Sequence, residues 1–225
     1  MAEHAHHASH DDIKVPFTEA EWDARYSTAA DRMWSGNPNP VLVAETAALT
    51  AGTALDVGCG EGADALWLAA RGWKVTGIDI SSVALERAAK QGESQGLRVD
   101  WRQVDLLEDP LPPGPFDLVA AHFMHLPSAL RRKLHARLAD AVAAAGTLLL
   151  VGHHPSDVHT SAARPDLPDM FFTAEELAAD LDPAAWQVLV AEARPRQAKD
   201  PQGREITIRD TVLVARKLAA TDRRS

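Results

Sequence analysis

Two acids and three glycines, Asp56, Gly58, Gly60, Gly62 and Asp79, are the residues whose types and spacing are best suited to chemistry. The apolar run Ala54, Leu55, Val57 stops at Gly58, and apolar residues return with helical spacing at Ala65, Leu66, Leu68 and Ala69. This predicts a buried strand, a tight glycine turn and a helix N-terminus, where a nucleotide-like ligand can approach bare backbone N–H groups. Gly58-Cys59-Gly60-Glu61-Gly62-Ala63 also satisfies the loose dinucleotide fingerprint, so the glycines alone do not name the ligand. Asp56 separates the candidates. At the tip of the strand it repels a pyrophosphate and attracts an ammonium or sulfonium centre. S-adenosylmethionine (SAM) carries both cations and no phosphate, and fits better than NAD. Cys59, between two glycines, reads as a small side chain demanded by the turn rather than as a nucleophile.

A second set of reactive side chains follows two later strands. His122-Phe123-Met124-His125 comes after one, and His153-His154, with His159 beyond, after the next. Loop histidines making surface hydrogen bonds, histidines that orient a substrate or accept its proton, and a metal site are the three readings. Histidine titrates near neutral pH and is the commonest general base. Imidazole also suits zinc or copper, but neither His-Glu-x-x-His nor paired-cysteine spacing occurs, so no metal is expected. His4, His6, His7 and His10 lie in an N-terminal stretch that is expected to be a flexible tail.

The elements that must position these residues can be read from the same pattern. Thr18-Glu-Ala-Glu21, with capping-box spacing, marks a helix start through about Tyr26, and Asn39-Pro40 caps and opens another. Strands are expected at about 73–78, 98–103, 116–121 and 146–151. Helices are expected from Ser81 to about Glu93 and from Pro127 to about Ala144. Alternation of strand and helix implies a parallel sheet covered on both faces. Thr173 caps a short helix, and strands follow at 186–190 and 205–215. Arg194 to Gly203 between them is too short and turn-rich for a helical crossover, so this pair should be antiparallel. The fold class is therefore α/β: one Rossmann-like, doubly wound sheet of seven strands, mostly parallel, ending in an antiparallel hairpin. Boundaries are set at 1–16 for the N-terminal tail, 17–218 for one domain (17–50 as a helical cover) and 219–225 for a C-terminal tail.

Composition limits the partners. The chain has 225 residues, 46% of them hydrophobic, enough for one full core. A net charge of −9 is unfavourable for a nucleic-acid backbone, and no apolar stretch is long enough to span a membrane. The single cysteine excludes an internal disulfide and suits a reducing compartment, and the N-terminus lacks a secretory signal, so a cytoplasmic location is expected. No feature sets an oligomeric state.

Asp79 ends the second strand, about 20 residues beyond the glycine turn, where a carboxylate can accept both ribose hydroxyls. Asp105-Leu106 ends the third. From about Ala54 to Val151 these ordered motifs resemble the class I SAM-dependent methyltransferases. The resemblance implies that Gly58 to Gly60, with Cys59, pass the methionine moiety and Asp79 holds the ribose. It also implies that Ile80 packs on the adenine, while Asp105 and the Leu106 backbone read its amino edge. The segment from Glu21 to Pro40 is similar to the N-terminal cover of small-molecule methyltransferases of the tellurite-resistance and thiopurine type. Tyr26 and Trp34, with Trp22, are then expected to close over the cofactor, and Asp166 to Phe172 to form the opposite wall. His122 and His125 are the candidate catalytic residues, with His122 also beside the cofactor. Phe123, Met124, His153 and His154 join Tyr26 and Trp34 in lining the substrate pocket. The expected reaction is methyl transfer to a small soft acceptor (thiol, selenol or metalloid) or to a phenol, leaving S-adenosylhomocysteine (SAH). A SAM-binding protein without turnover, an NAD-linked oxidoreductase and a macromolecule methyltransferase are the alternatives.

Overall fold

The computed structural model describes residues 18–29, 32–162, 164 and 167–219. The expected tails and Asp166 lie largely or wholly outside the described residues. Chain order is α1 (Glu19–Thr28), α2 (Pro40–Thr46), β1 (Thr53–Val57), α3 (Ala63–Ala69), β2 (Lys74–Asp79), α4 (Ser82–Ser94) and β3 (Asp100–Gln103). Then come β4 (Phe116–His122), α5 (Ser128–Ala141), β5 (Val142–His153), α6 (Ala174–Ala179), β6 (Trp186–Lys199) and β7 (Glu205–Lys217).

The seven strands form one sheet in the order β3-β2-β1-β4-β5-β7-β6. The first five are parallel, and β7 pairs antiparallel with both β5 and β6. Period-two alternation divides the core between the two faces. Leu55, Val57, Val119 and Leu148 pack with Leu134 and Leu138 of α5 on one side. Ala54, Leu118, Ala120 and Leu149 pack with Leu42 of α2 and Leu68 of α3 on the other. The strand order reverses direction between β1 and β4, the switch point at which an open α/β sheet leaves a crevice above its carboxyl ends.

Local capping explains the helix starts. Thr18 and Glu21 form a reciprocal capping box, Asn39 caps α2 with Pro40 in its first turn, and Ser81 caps α4. Asp23 of α1 accepts hydrogen bonds from Ser81 Oγ, Ser82 Oγ and Val83 N, which docks α1 on the start of α4.

Two boundaries differ from the sequence reading. α5 ends at Ala141 rather than Ala144, and β5 begins at Val142, crossing an irregularity at Ala145, whose φ is 62°. The larger difference is in the final hairpin. β6 does not stop near Val190 but continues through Pro195 to Lys199. Pro195 is tolerated because β6 is an edge strand. The turn is closed by one side chain: Asp200 Oδ1 accepts from Gln202 N and Arg204 N, and its Oδ2 from Arg204 Nε. Pairing of β7 with β5 ends at His153↔Asp210, while β6 and β7 remain paired to Lys199↔Glu205. The hairpin therefore overhangs the carboxyl edge of the parallel strands.

Candidate functional site

Gly58 and Gly60 adopt φ of 67° and 52°, a region that side chains rarely enter. Space forbids a side chain too: a Cβ on Gly58 would lie 2.3 Å from Met124 Sδ, and one on Gly60 2.9 Å from the Tyr26 hydroxyl. The turn is stitched to β2. Cys59 N donates to Ile78 O at 3.0 Å, Gly60 N to Asp79 Oδ2 at 2.8 Å, and Gly62 N to Cys59 O at 2.9 Å. Three N–H groups of the turn are therefore not bare: the Asp79 carboxylate and two carbonyls take them.

Carboxyl groups crowd beneath the turn. Asp56 is 2% exposed, and its Oδ2 has no hydrogen-bond partner. Burial, then Asp64 and Asp79, push its pKa well above the usual carboxylate range. Burial also raises Asp79, against hydrogen bonds from Ser81 N and Gly60 N that favour the charged form. Burial and the neighbouring Asp56 push the Cys59 thiol well up, which opposes a thiolate role. Each Asp79 oxygen accepts one backbone N–H and keeps a further lone pair for a hydroxyl.

A cavity of about 1070 Å³ opens above the carboxyl ends of the strands. That is the upper end of the range for small-molecule sites and accommodates a nucleoside cofactor beside a small second ligand. Gly58, Cys59, Gly60, Asp79, Ile80, Asp105 and Leu106 line one side. His122, Phe123, Met124, His125 and His153 line another, and Tyr26 and Trp34 contribute from the N-terminal segment. Trp34 Nε1 donates to the Tyr26 hydroxyl at 3.2 Å. Glu61 fixes this segment to the glycine turn by accepting from Met33 N and Trp34 N and pairing with Arg87 at 2.9 Å. Asp105, also in the lining, accepts from Leu107 N through its Oδ1.

Asp56, His154 and the described part of the expected opposite wall, Leu167 to Phe172, are not among the residues lining the cavity. Asp56 is buried beneath it. His154 instead caps the 3-10 turn Pro155–His159, its Nδ1 accepting from Ser156 N.

The remaining histidines divide by their partners. His122 Nδ1 is 2.6 Å from Asp64 Oδ2, and its Nε2 is buried with no partner. Asp64 Oδ1 accepts from Asn39 N, also at 2.6 Å, so the carboxylate is held from both sides. A ring that donates Nδ1–H to a carboxylate carries its lone pair on Nε2. His125 is different. Its Nε2 accepts from His153 N at 3.1 Å, and the ring stacks on His153 with centroids 4.4 Å apart. Burial, then Arg164, lower its pKa to about 4; burial and His125 lower that of His153 to about 2. Of the two expected catalytic histidines, His125 has spent its lone pair on the backbone, so only His122 offers a free one. Phe123, between them, has φ 56° and donates its N–H to Val151 O. Such a conformation in a non-glycine residue is uncommon and concentrates at functional sites.

Residues 54–146 match the family model described as a methyltransferase domain. A ubiquinone biosynthesis O-methyltransferase of Marinobacter nauticus is 31% identical over 147 residues, which cover 58% of this chain and 58% of that protein. Over residues 54–146 the chain is similar to methyltransferase domains, and the comparisons support a class I SAM-dependent methyltransferase. Solved structures share its fold. TehB from Haemophilus influenzae superposes with a TM-score of 0.67 at 20% identity, covering 88% of this chain and 66% of TehB. A protein from the conversion of a disulfide bond into a thioacetal group during echinomycin biosynthesis gives 0.73 at 22% identity, covering 90% and 92%.

The cavity fits SAM on its own observations. Unspent carboxylate lone pairs at Asp79, a buried unpartnered Asp56 oxygen, and a glycine turn with three of its donors already taken suit a cationic, phosphate-free nucleoside. Sequence reasoning missed Asp64, Arg164 and Arg196 at this site. Asp64 left a faint signal as an acid in the first turn of the helix after the glycine turn. The two arginines left none, because the 3-10 region and the overhang bring them to the cavity from far along the chain.

Proposed function

We propose that this domain methylates a phenolic hydroxyl of a small acceptor and that His122 is the base. The observation that carries the reading is the Asp64–His122 pair at the cavity wall, in which the buried Nε2 of His122 has no hydrogen-bond partner. When bound, SAM supplies an electrophilic methyl group and leaves as SAH. His122 Nε2 takes the phenol's proton as the oxygen forms its new bond to carbon, and Asp64 stabilises the imidazolium that results. A soft acceptor that is already an anion gives a buried base no task, which favours the phenol over the thiol or metalloid. The M. nauticus relative's name, an O-methyltransferase of ubiquinone biosynthesis, supports the same choice, although this chain spans only 58% of its length.

On this reading Asp79 receives the ribose hydroxyls, and Ile80 and Leu106 pack on the adenine. Asp105 reads its amino edge, Gly58 to Gly60 border the methionine moiety, and residues 17–50 cover the cofactor. The buried base argues against a protein that binds SAM without turnover. The spent N–H groups of the glycine turn argue against an NAD-linked oxidoreductase. Among the described residues no helix is long and apolar enough to cross a membrane. The test is incubation with SAM and separate panels of phenols, thiols and metalloid oxyanions, scored by SAH formation. Turnover of phenols that is lost in His122→Gln supports the reading; turnover of thiols or oxyanions alone overturns it.

A further inference from the structure

Charges of both signs line the cavity. Asp79 and Asp105 line it from the ends of β2 and β3, with Arg25 of α1 nearby in the lining, whereas Arg164, Arg194 and Arg196 line it from the segment after β5 and from β6, with Asp210. Arg196 stands on the overhanging hairpin, beyond the last β5–β7 pair. Its Nε donates to Asp210 Oδ2 at 2.6 Å, and its guanidinium lies 5.9 Å from the centre of the Phe123 ring. Guanidinium has five N–H groups in a rigid fork, so one bond to Asp210 leaves the outer edge available. Asp210 engages only the Nε edge, and its other oxygen has no partner. Arg194, by contrast, is held by Glu45 and Glu192, and Arg164 by Asp157.

Between the arginines and the glycine turn lies a wall of flat, uncharged rings. Phe123 and His153 have centroids 4.9 Å apart, and His125 stacks on His153. Burial keeps both imidazoles neutral, with pKa values of about 4 and 2, so the positive charge on the arginine side comes from arginine alone. A cofactor with two cationic centres is drawn to the acids and repelled by the arginines. The arginine side is left for the acceptor.

We propose that the acceptor is an aromatic acid: its ring lies along Phe123 and His153, and its carboxylate is received by Arg196 on the overhanging hairpin. This deepens the phenol reading and rests on it for the ring's placement beside His122. It sets the substrate class apart from phenols that carry only apolar substituents.

The test compares 3,4-dihydroxybenzoate with its primary amide, by calorimetry on the SAH-loaded full chain and by methylation with SAM. The expected result is that the acid binds roughly tenfold or more tightly than the amide, as a charge-assisted guanidinium–carboxylate contact requires. In Arg196→Gln the acid-to-amide ratio should fall to about one, and in Arg196→Lys, which keeps the charge but loses the fork, it should fall part-way. SAH affinity in the same titrations reports that each variant is folded. Equal binding of acid and amide by the wild type, binding of neither, or an acid preference that survives Arg196→Gln overturns the proposal. The two readings fail differently. Acid-selective, Arg196-dependent binding with no methylation removes the phenol reading and keeps the anion contact. Methylation of both compounds without preference does the reverse.

Discussion

Replacing Asp64 by asparagine separates charge from shape at the proposed base. Asp64 accepts from Asn39 N with one oxygen and faces His122 Nδ1 with the other, both at 2.6 Å. An amide offers only one oxygen. If it serves Asn39, the NH2 group faces His122 and donates to Nδ1, which moves the ring proton to Nε2 and removes the Nε2 lone pair. If it serves His122, the NH2 group is set against the Asn39 N–H. The first arrangement abolishes the base, and the second leaves an imidazolium without its anion. Both side chains are at most 15% exposed, so solvent screening offsets little of the loss. A positioned base contributes ~10²–10⁴-fold, and a wrong tautomer in a buried Asp–His pair costs up to ~10⁴-fold, so kcat should fall by roughly 10²–10⁴. The assay uses two phenols of similar size, one neutral at the working pH and one already ionised through a nitro substituent. The neutral phenol should show the full loss and the ionised one only a small part of it, with SAM affinity retained. Equal slowing of both phenols, or no slowing of the neutral one, refutes the reasoning.

Three further outcomes are expected. Asp79→Ala should lower SAM affinity at least about tenfold through two charge-assisted hydrogen bonds, and should lower the melting temperature as well, because Gly60 N and Ser81 N lose their acceptor; unchanged affinity by calorimetry would remove Asp79 from the ribose site. SAM should raise the melting temperature while NADH does not, and stronger protection by NADH would return the glycine turn to the dinucleotide class. Because the folded-state pKa values of Asp56 and Asp79 are raised, the native chain holds protons that the unfolded chain has released, so ligand-free stability should fall as pH rises from the ordinary carboxylate value near ~4 through the raised values; in that window SAM binding should release protons, and calorimetry in buffers of different ionisation heat showing uptake instead would contradict the assignment.

How far the sequence predicted the molecule depends on how local each cause was. Caps at Thr18, Asn39, Ser81 and Thr173 act within three residues, and each begins a helix as read. The parallel sheet followed from apolar runs punctuated by glycine. The length of β6 did not, because it depends on Asp200 gathering three donors and on β7 supplying a partner strand, neither of which propensity around Pro195 reveals. The cavity-lining acids Asp79 and Asp105 were legible because strand ends face the crevice in this architecture. His125 and His154 were not separable from His122 by position. Their lone pairs are taken by His153 N and Ser156 N, contacts that depend on tertiary placement and local turn geometry.

The placement of the base between the acids and the arginines gives the charges a further consequence. On the proposed reading, a sulfonium cofactor entering with its cationic end toward the hairpin meets arginine, and an anionic acceptor entering toward the glycine turn meets Asp79. Each wrong orientation is disfavoured by like charge in a poorly screened cavity, and each correct one is favoured. His122, at the end of β4, lies where the central strands meet these two regions, with Asp64 anchored on α3 behind it. Methyl transfer is an in-line displacement that depends on alignment more than on chemical assistance. On the proposed reading, a fold that sorts its two ligands by charge, with His122 between them, brings the reacting atoms together before any proton moves.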